Sequence, residues 1–237
     1  MKKKEQGFSL IEILVVIAIF GLISGITATT FINIIKASNK SNIITEIKQN
    51  GDAVTNRLER IIRNAEEISA IGAKNYGVVE WNYTINPQNG TCDANQCAII
   101  IKNTSANEAY TKIQFNTEYD RECNTAPFGP ADQDTTLFSP QIVCNGNIRM
   151  MTNNGPNALV ELQTTTTAGQ LLTNTELRSG VSVRKTLNKP LIEVRTAIGK
   201  PSLVYIRFTL AQGIKASSRI DSLAEVPFES VISLRNY

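Results

Sequence analysis

Four cysteines are the residues of this chain whose type and spacing best suit covalent chemistry: Cys92, Cys97, Cys123 and Cys144. All four follow a long apolar segment near the N-terminus. If that segment crosses a membrane, the cysteines lie outside the cytoplasm, where disulfides persist. An even number fits two bridges in any of three pairings, and we favour Cys92–Cys97 with Cys123–Cys144 because both loops are short. Neither spacing is C-x-x-C and the chain has no histidine, so a zinc site is the weaker interpretation.

The other chemistry-bearing residues form no catalytic pattern. The chain has no histidine, which removes the commonest general base, and it contains no nucleophile elbow or phosphate-binding loop. A net charge of +3 is too small to indicate nucleic-acid binding. Four carboxylates of one long loop do not match an EF-hand, and solvated side chains are the simpler interpretation for them: Asp120, Glu122, Asp132 and Asp134. We therefore expect a protein that is not an enzyme and has no cofactor.

A basic leader and an apolar run occupy the N-terminus. Three lysines lie within Met1–Gln6, and the residues from Phe8 to about Ala28 are predominantly apolar. About 20 apolar residues allow a helix to cross a bilayer, and lysines before such a span place the N-terminus in the cytoplasm. The sequence therefore predicts a single-pass protein in contact with membrane lipid, with its body extracytoplasmic.

The nature of this apolar run depends on Glu12. A secretory signal peptide would have an apolar core of about 7–15 residues and a small-x-small cleavage site, but this run is longer and Ile26-Thr27-Ala28 matches poorly. A plain membrane anchor explains the length and the lysines. It does not explain Glu12, because a carboxylate in a membrane helix costs a few kcal/mol and usually has a partner.

A third interpretation supplies that partner. Gly7-Phe8-Ser9-Leu10-Ile11-Glu12 resembles G-F-[ST]-L-x-E, the cleavage motif of type IV prepilins. The resemblance implies that a prepilin peptidase cuts between Gly7 and Phe8 and methylates the new N-terminal phenylalanine. It also implies an assembly role for Glu12, which would pair with the Phe8 amine of a neighbouring subunit in the filament core, where an unpaired charge is costly.

Two further segments are similar to J-type pseudopilins of type II secretion and to W-type minor pilins: Asn56–Ala65 and Phe228–Asn236. A minor subunit also fits the chain length and the absence of the mid-helix proline of many major pilins. The resemblance implies as partners a prepilin peptidase, other pilins or pseudopilins and an inner-membrane assembly platform. It places the mature chain in the cytoplasmic membrane and then in a pilus or pseudopilus that serves type II secretion, competence or a type IV pilus. The alternative is a membrane-anchored extracytoplasmic adhesion or binding protein that does not assemble.

The elements that must position these residues follow from hydrophobic periodicity. We expect an α+β, pilin-like fold with a leader at residues 1–7, a long helix over 8–70 whose segment 8–29 spans the membrane, and a β-rich extracytoplasmic domain over 71–237. Apolar residues at helical spacing from Ile43 to Ile68 predict a helix face packed on a core, although Asn50-Gly51-Asp52 could interrupt it. Runs rich in β-branched and aromatic residues predict strands at Val78–Ile85, Ala98–Lys102, Thr111–Asn116, Ala158–Gln163, Ile192–Ala197, Leu203–Thr209 and Val231–Leu234.

Overall fold

One helix of 54 residues, α1 (Leu10–Arg63), carries the N-terminal apolar run in the computed structural model of the chain. At a rise of 1.5 Å per residue it is about 80 Å long. It passes through Asn50-Gly51-Asp52 without a break, so of the two alternatives at this point the continuous helix is the one observed. The structure describes residues 9–74, 80–87, 89–94, 96–103, 109–117, 132–134, 141–143, 145–164, 169–173, 180–197, 200–213 and 224–234.

Thirteen strands and a short second helix follow within these ranges. The helix is α2 (Ala158–Thr164). The strands are β1 (Ala65–Lys74), β2 (Asn82–Ile85), β3 (Asn89–Cys92), β4 (Gln96–Asn103), β5 (Ala109–Asn116), β6 (Asp132–Asp134), β7 (Gln141–Val143), β8 (Asn147–Asn154), β9 (Gln170–Leu171), β10 (Val181–Arg184), β11 (Ile192–Arg195), β12 (Leu203–Gln212) and β13 (Glu225–Ser233). The fold is therefore α+β, as the sequence predicts.

Two antiparallel sheets form the body. Sheet A has the order β2-β1-β4-β5-β8-β9, and sheet B has the order β10-β12-β11-β3, with β13 paired to β12. A separate two-stranded ladder joins β6 and β7. The second half of α1 packs on β13 and β12, so the helix and both sheets share one core.

A stripe along α1 faces that core. Its buried members recur every three or four residues and so lie on one face: Ile47, Gly51, Val54, Leu58 and Ile62. Buried residues of both sheets complete the cluster, among them Ile99, Ile113 and Phe115 from sheet A and Val194, Ile206 and Phe208 from sheet B.

The helix ends earlier than the periodicity predicts. The helix ends at Arg63 and does not continue to residue 70. Ala65 and Ile68 lie in β1. Apolar residues three apart fit a helix face, but β1 is paired with β2 on one side and β4 on the other. Sheet A is covered on both faces, so Ile68 and Ile71 are buried in the main core on one face and Ala70 is buried beneath Leu162 of α2 on the other.

The predicted strand Ala158–Gln163 is wrong, because these residues form α2. Ala158 and Leu162 are four residues apart and both buried, which is helical spacing. They lie over the outer face of sheet A, where Leu162 joins a small cluster with Ala70, Ile100 and Met151.

The predicted bridge Cys92–Cys97 is confirmed: a disulfide joins the two sulfurs, with the Cα atoms 5.8 Å apart. Cys123 and Cys144 lie outside the described residues, so their bond stays a prediction. The same holds for Asp120 and Glu122. Asp132 and Asp134 lie in β6, but their side chains are outside the description.

Candidate functional site

Ser9 and Glu12 close the N-terminal end of α1. The Ser9 backbone N–H donates to Glu12 Oε2 at 2.9 Å, and Ser9 Oγ accepts from the Ile11 N–H at 3.3 Å. The two residues form a capping box, which satisfies donors that the first helical turn leaves unpaired. The Glu12 side chain remains exposed, so its charge is accessible to a partner. Gly7 and Phe8 lie outside the described residues.

The first half of α1 presents an apolar surface to its surroundings. Large apolar side chains between Leu10 and Ile35 are 45% to 78% exposed. The helix is long and apolar enough to cross a membrane. Its most apolar stretch of 18 residues has no part buried against the rest of the described chain. So large an apolar surface implies a bilayer or a protein partner.

Threonine hydroxyls within this surface are satisfied inside the helix. Thr27 Oγ1 donates to the Ile23 carbonyl at 2.8 Å, and Thr30 Oγ1 donates to the Ile26 carbonyl at 2.9 Å. A hydroxyl that donates to the carbonyl four residues earlier in the helix has a hydrogen-bond partner without any water. These polar residues are therefore compatible with an apolar environment.

A glycine joins α1 to the body. A Cβ atom added at Gly51 would overlap the ring of Phe228 on β13. That ring stacks on Phe208 of β12 at 5.4 Å between centroids, and Phe208 packs against Phe115 of β5 at 6.0 Å. The three rings connect the notch at Gly51 to both sheets, so this contact fixes where the helix sits on the body.

Two polar contacts join α1 to the body further along the helix, after Gly51. Ser230 Oγ on β13 donates to Glu59 Oε1 at 2.6 Å. Arg57 Nη2 donates to Gln170 Oε1 on β9 at 2.7 Å. Both are exposed or partly exposed, so each contributes little to stability. They show that α1 reaches an outer strand of sheet A and β13 of sheet B.

A buried lysine lies on the opposite face of sheet A. Lys112 Nζ donates to the Leu162 carbonyl of α2 at 2.9 Å and lies 4.6 Å from the ring centroid of Trp81. Trp81 stacks on Tyr83, with their ring centroids 5.6 Å apart. Burial and, to a smaller extent, the nearby charge of Lys74 together lower the pKa of Lys112 to about 8. Burial raises the pKa of Tyr83.

We expect the stability of the protein to rise between pH 8 and pH 10. The unfolded lysine has a pKa of about 10.4, so in this window the unfolded state binds more protons than the folded state. The free energy of unfolding then increases with pH, by about 2 kcal/mol from Lys112. Above this window the raised pKa of Tyr83 acts in the opposite direction. Urea unfolding of the detergent-solubilised full chain at the two pH values measures the change. Lys112→Met should abolish it, and an equal rise in that variant would contradict the assignment to Lys112.

Two comparisons match this chain to known proteins. Residues 2–28 match the family model described as "Prokaryotic N-terminal methylation motif". A type IV major fimbrial protein, FimA, of Dichelobacter nodosus is 27% identical over 104 residues, which are 43% of this chain and 64% of that protein. The chain thus spans less than two thirds of this relative. No solved structure matches the chain.

The matched motif contains Gly7 and Phe8 and extends into the exposed apolar half of α1. A long N-terminal helix of this kind, attached to an antiparallel β body, defines a pilin-like architecture. Together with the fimbrial relative, the motif supports a type IV pilin-like family for this chain.

Proposed function

We propose that this protein is a minor pilin or pseudopilin. A prepilin peptidase cleaves it between Gly7 and Phe8 and methylates Phe8, and the mature chain assembles through α1 into a type IV pilus-like filament. The filament serves type II secretion, competence or a type IV pilus. Its role is structural, and its partners are other pilins and an inner-membrane assembly platform.

One observation carries the proposal. The methylation motif and Glu12 stand at the head of an apolar helical surface that the described body leaves uncovered. A bilayer covers such a surface before assembly, and neighbouring helices cover it in a filament. The same helix is held on the body by the contact of Gly51 with Phe228, so a filament built from the helices would carry the bodies with it.

A minor role is favoured by the length of 237 residues and by the absence of proline in α1. The fimbrial relative is named a major protein, which argues against a minor role. The weight of this relative is small, because the match covers only 43% of this chain and 64% of that protein. The similarity of Asn56–Ala65 and Phe228–Asn236 to J-type pseudopilins and W-type minor pilins supports this pair of roles.

The experiment compares the wild-type chain with Gly7→Val in a bacterium that assembles such filaments. A bulky residue at the cut site should block the peptidase, so the variant should keep its leader and stay in the membrane fraction. Wild type should lose the leader and appear in sheared filaments. Leu187→Ala, at a body side chain that is 89% exposed, serves as the matched surface control and should behave as wild type.

Two outcomes would overturn the proposal. Wild-type protein found only in membranes, beside filaments that contain other pilins, would favour the non-assembling anchored binding protein. Gly7→Val recovered in filaments at the wild-type level would show that processing is not required.

A further inference from the structure

The disulfide Cys92–Cys97 lies where the chain passes from one sheet to the other. Cys92 ends β3, which pairs with β11 in sheet B, and Cys97 lies in β4, which pairs with β1 and β5 in sheet A. Cys92 is 1% exposed and Cys97 is 0% exposed, and both belong to the main core. The bond is therefore enclosed by both sheets.

The connection between the two cysteines is also contacted by a later part of the chain. Lys185 follows β10. Its Nζ lies 2.7 Å from Asp93 Oδ1 and donates to the backbone carbonyl of Asp93 at 3.1 Å. Lys185 reaches this place only when the later strands of sheet B have formed. Neither sulfur is then accessible to a third sulfur, whose direct attack thiol–disulfide exchange requires.

We infer that this bond is made on the unfolded chain, by a thiol–disulfide oxidoreductase outside the cytoplasm, before the two sheets close. The separation of five residues favours early pairing, because short loops close at little entropic cost. Folding then makes the bond inaccessible to reductants. Oxidation thus precedes folding of the body.

The exchange balances without any further oxidant. The thiolate of one cysteine attacks the disulfide of the oxidoreductase, which gives a mixed disulfide and releases one thiolate of the enzyme. The thiolate of the other cysteine then attacks the sulfur of the first cysteine in this mixed disulfide. This step forms Cys92–Cys97 and releases the second thiolate of the enzyme. Two thiols of this chain are oxidised, one disulfide of the enzyme is reduced, and two protons pass to the enzyme.

The first experiment treats the full chain in detergent with dithiothreitol, with and without guanidinium chloride. Free thiols are then alkylated, and tryptic peptides are analysed by mass spectrometry. Cys92 and Cys97 fall in one peptide, residues 75–102, and Cys123 and Cys144 in another, residues 122–149, so each pair reports separately. We expect reduction of Cys92–Cys97 to be at least about 100-fold slower in the native protein, because the core must open first. Equal rates would overturn the inference.

The second experiment refolds the reduced chain with glutathione disulfide present from the start or added after refolding. Early addition should give the bond readily, and late addition should give it at least about tenfold more slowly, because the thiols are by then enclosed. Equal rates from the two additions would contradict the proposed order. Neither experiment involves filament assembly, so its failure leaves the proposed function untouched.

Discussion

Glu12→Ala and Glu12→Gln should both reach the membrane as efficiently as the wild-type chain and be depleted from filaments by about two to four orders of magnitude. In the proposed filament the Glu12 carboxylate pairs with the Phe8 amine of a neighbouring subunit. Breaking a buried pair from one side costs about 3–5 kcal/mol, because the remaining charge is left uncompensated. Membrane insertion, by contrast, becomes easier when a charge is removed.

The glutamine variant separates the charge from the cap. In the structure the Glu12 side chain also accepts a hydrogen bond from the Ser9 N–H, and alanine would remove this contact as well. Glutamine can keep it, since a capping box accepts either residue. Equal depletion of the two variants would therefore assign the effect to the lost charge. Depletion of Glu12→Ala alone would assign it to the end of the helix.

The measurement is the ratio of each variant in sheared filaments to its total in membranes, with the size of the mature chain as the control for cleavage. Cleavage should remain largely intact, because the peptidase mainly needs Gly7 and the basic leader. Recovery of both variants in filaments at the wild-type level would refute the paired-charge mechanism. A solitary membrane anchor predicts that neither substitution changes function.

Gly51→Ala should destabilise the body by about 3 kcal/mol, at the upper end of the usual cost of overpacking a core. The added methyl group would overlap the tip of the Phe228 ring, and stacking of that ring on Phe208 restricts how far it can move aside. The sign should reverse in a Phe228→Ala background. With the ring removed, alanine at position 51 should stabilise by about 0.5–1 kcal/mol, because it favours a helix more than glycine does.

Urea unfolding followed by fluorescence of the single tryptophan measures both effects. Gly25→Ala is the matched control in the same helix, because a Cβ atom there meets nothing within 4 Å. It should leave unfolding of the body unchanged. If Gly51→Ala destabilised equally with and without Phe228, the close contact would not be the cause.

The sequence predicted those parts of the structure that depend on patterns within one short segment and on no contact with distant residues. The apolar run and its helical continuation gave α1, and the run of β-branched and aromatic residues at Leu203–Thr209 gave most of β12. The cleavage motif and Glu12 are also local, so the head of the candidate site was predictable. The attachment of α1 to the body was not predictable from sequence. A glycine at position 51 indicates a possible helix break, and only the structure shows that Phe228 lies against it.

Strands with polar buried faces were missed for a physical reason. In β8, Asn147 and Arg149 are buried and bonded to each other through Arg149 Nε and Asn147 Oδ1 at 3.1 Å. Asn116 of β5 donates to the same oxygen at 2.8 Å. Hydrogen bonds within β8 and from β5 satisfy these groups, so the strand has no apolar alternation to detect. Similarly, β3 lies within Asn86–Gln96, a stretch whose composition predicts a loop.

The mass of the mature N-terminal peptide tests the central claim most directly. The protein is purified from membranes of a bacterium that has a prepilin peptidase, and the N-terminal peptide is sequenced by mass spectrometry. A pilin-like subunit predicts a chain that begins at Phe8 and carries one added methyl group on its amine. A chain that still begins at Met1, or one cut near Ala28, would contradict the account.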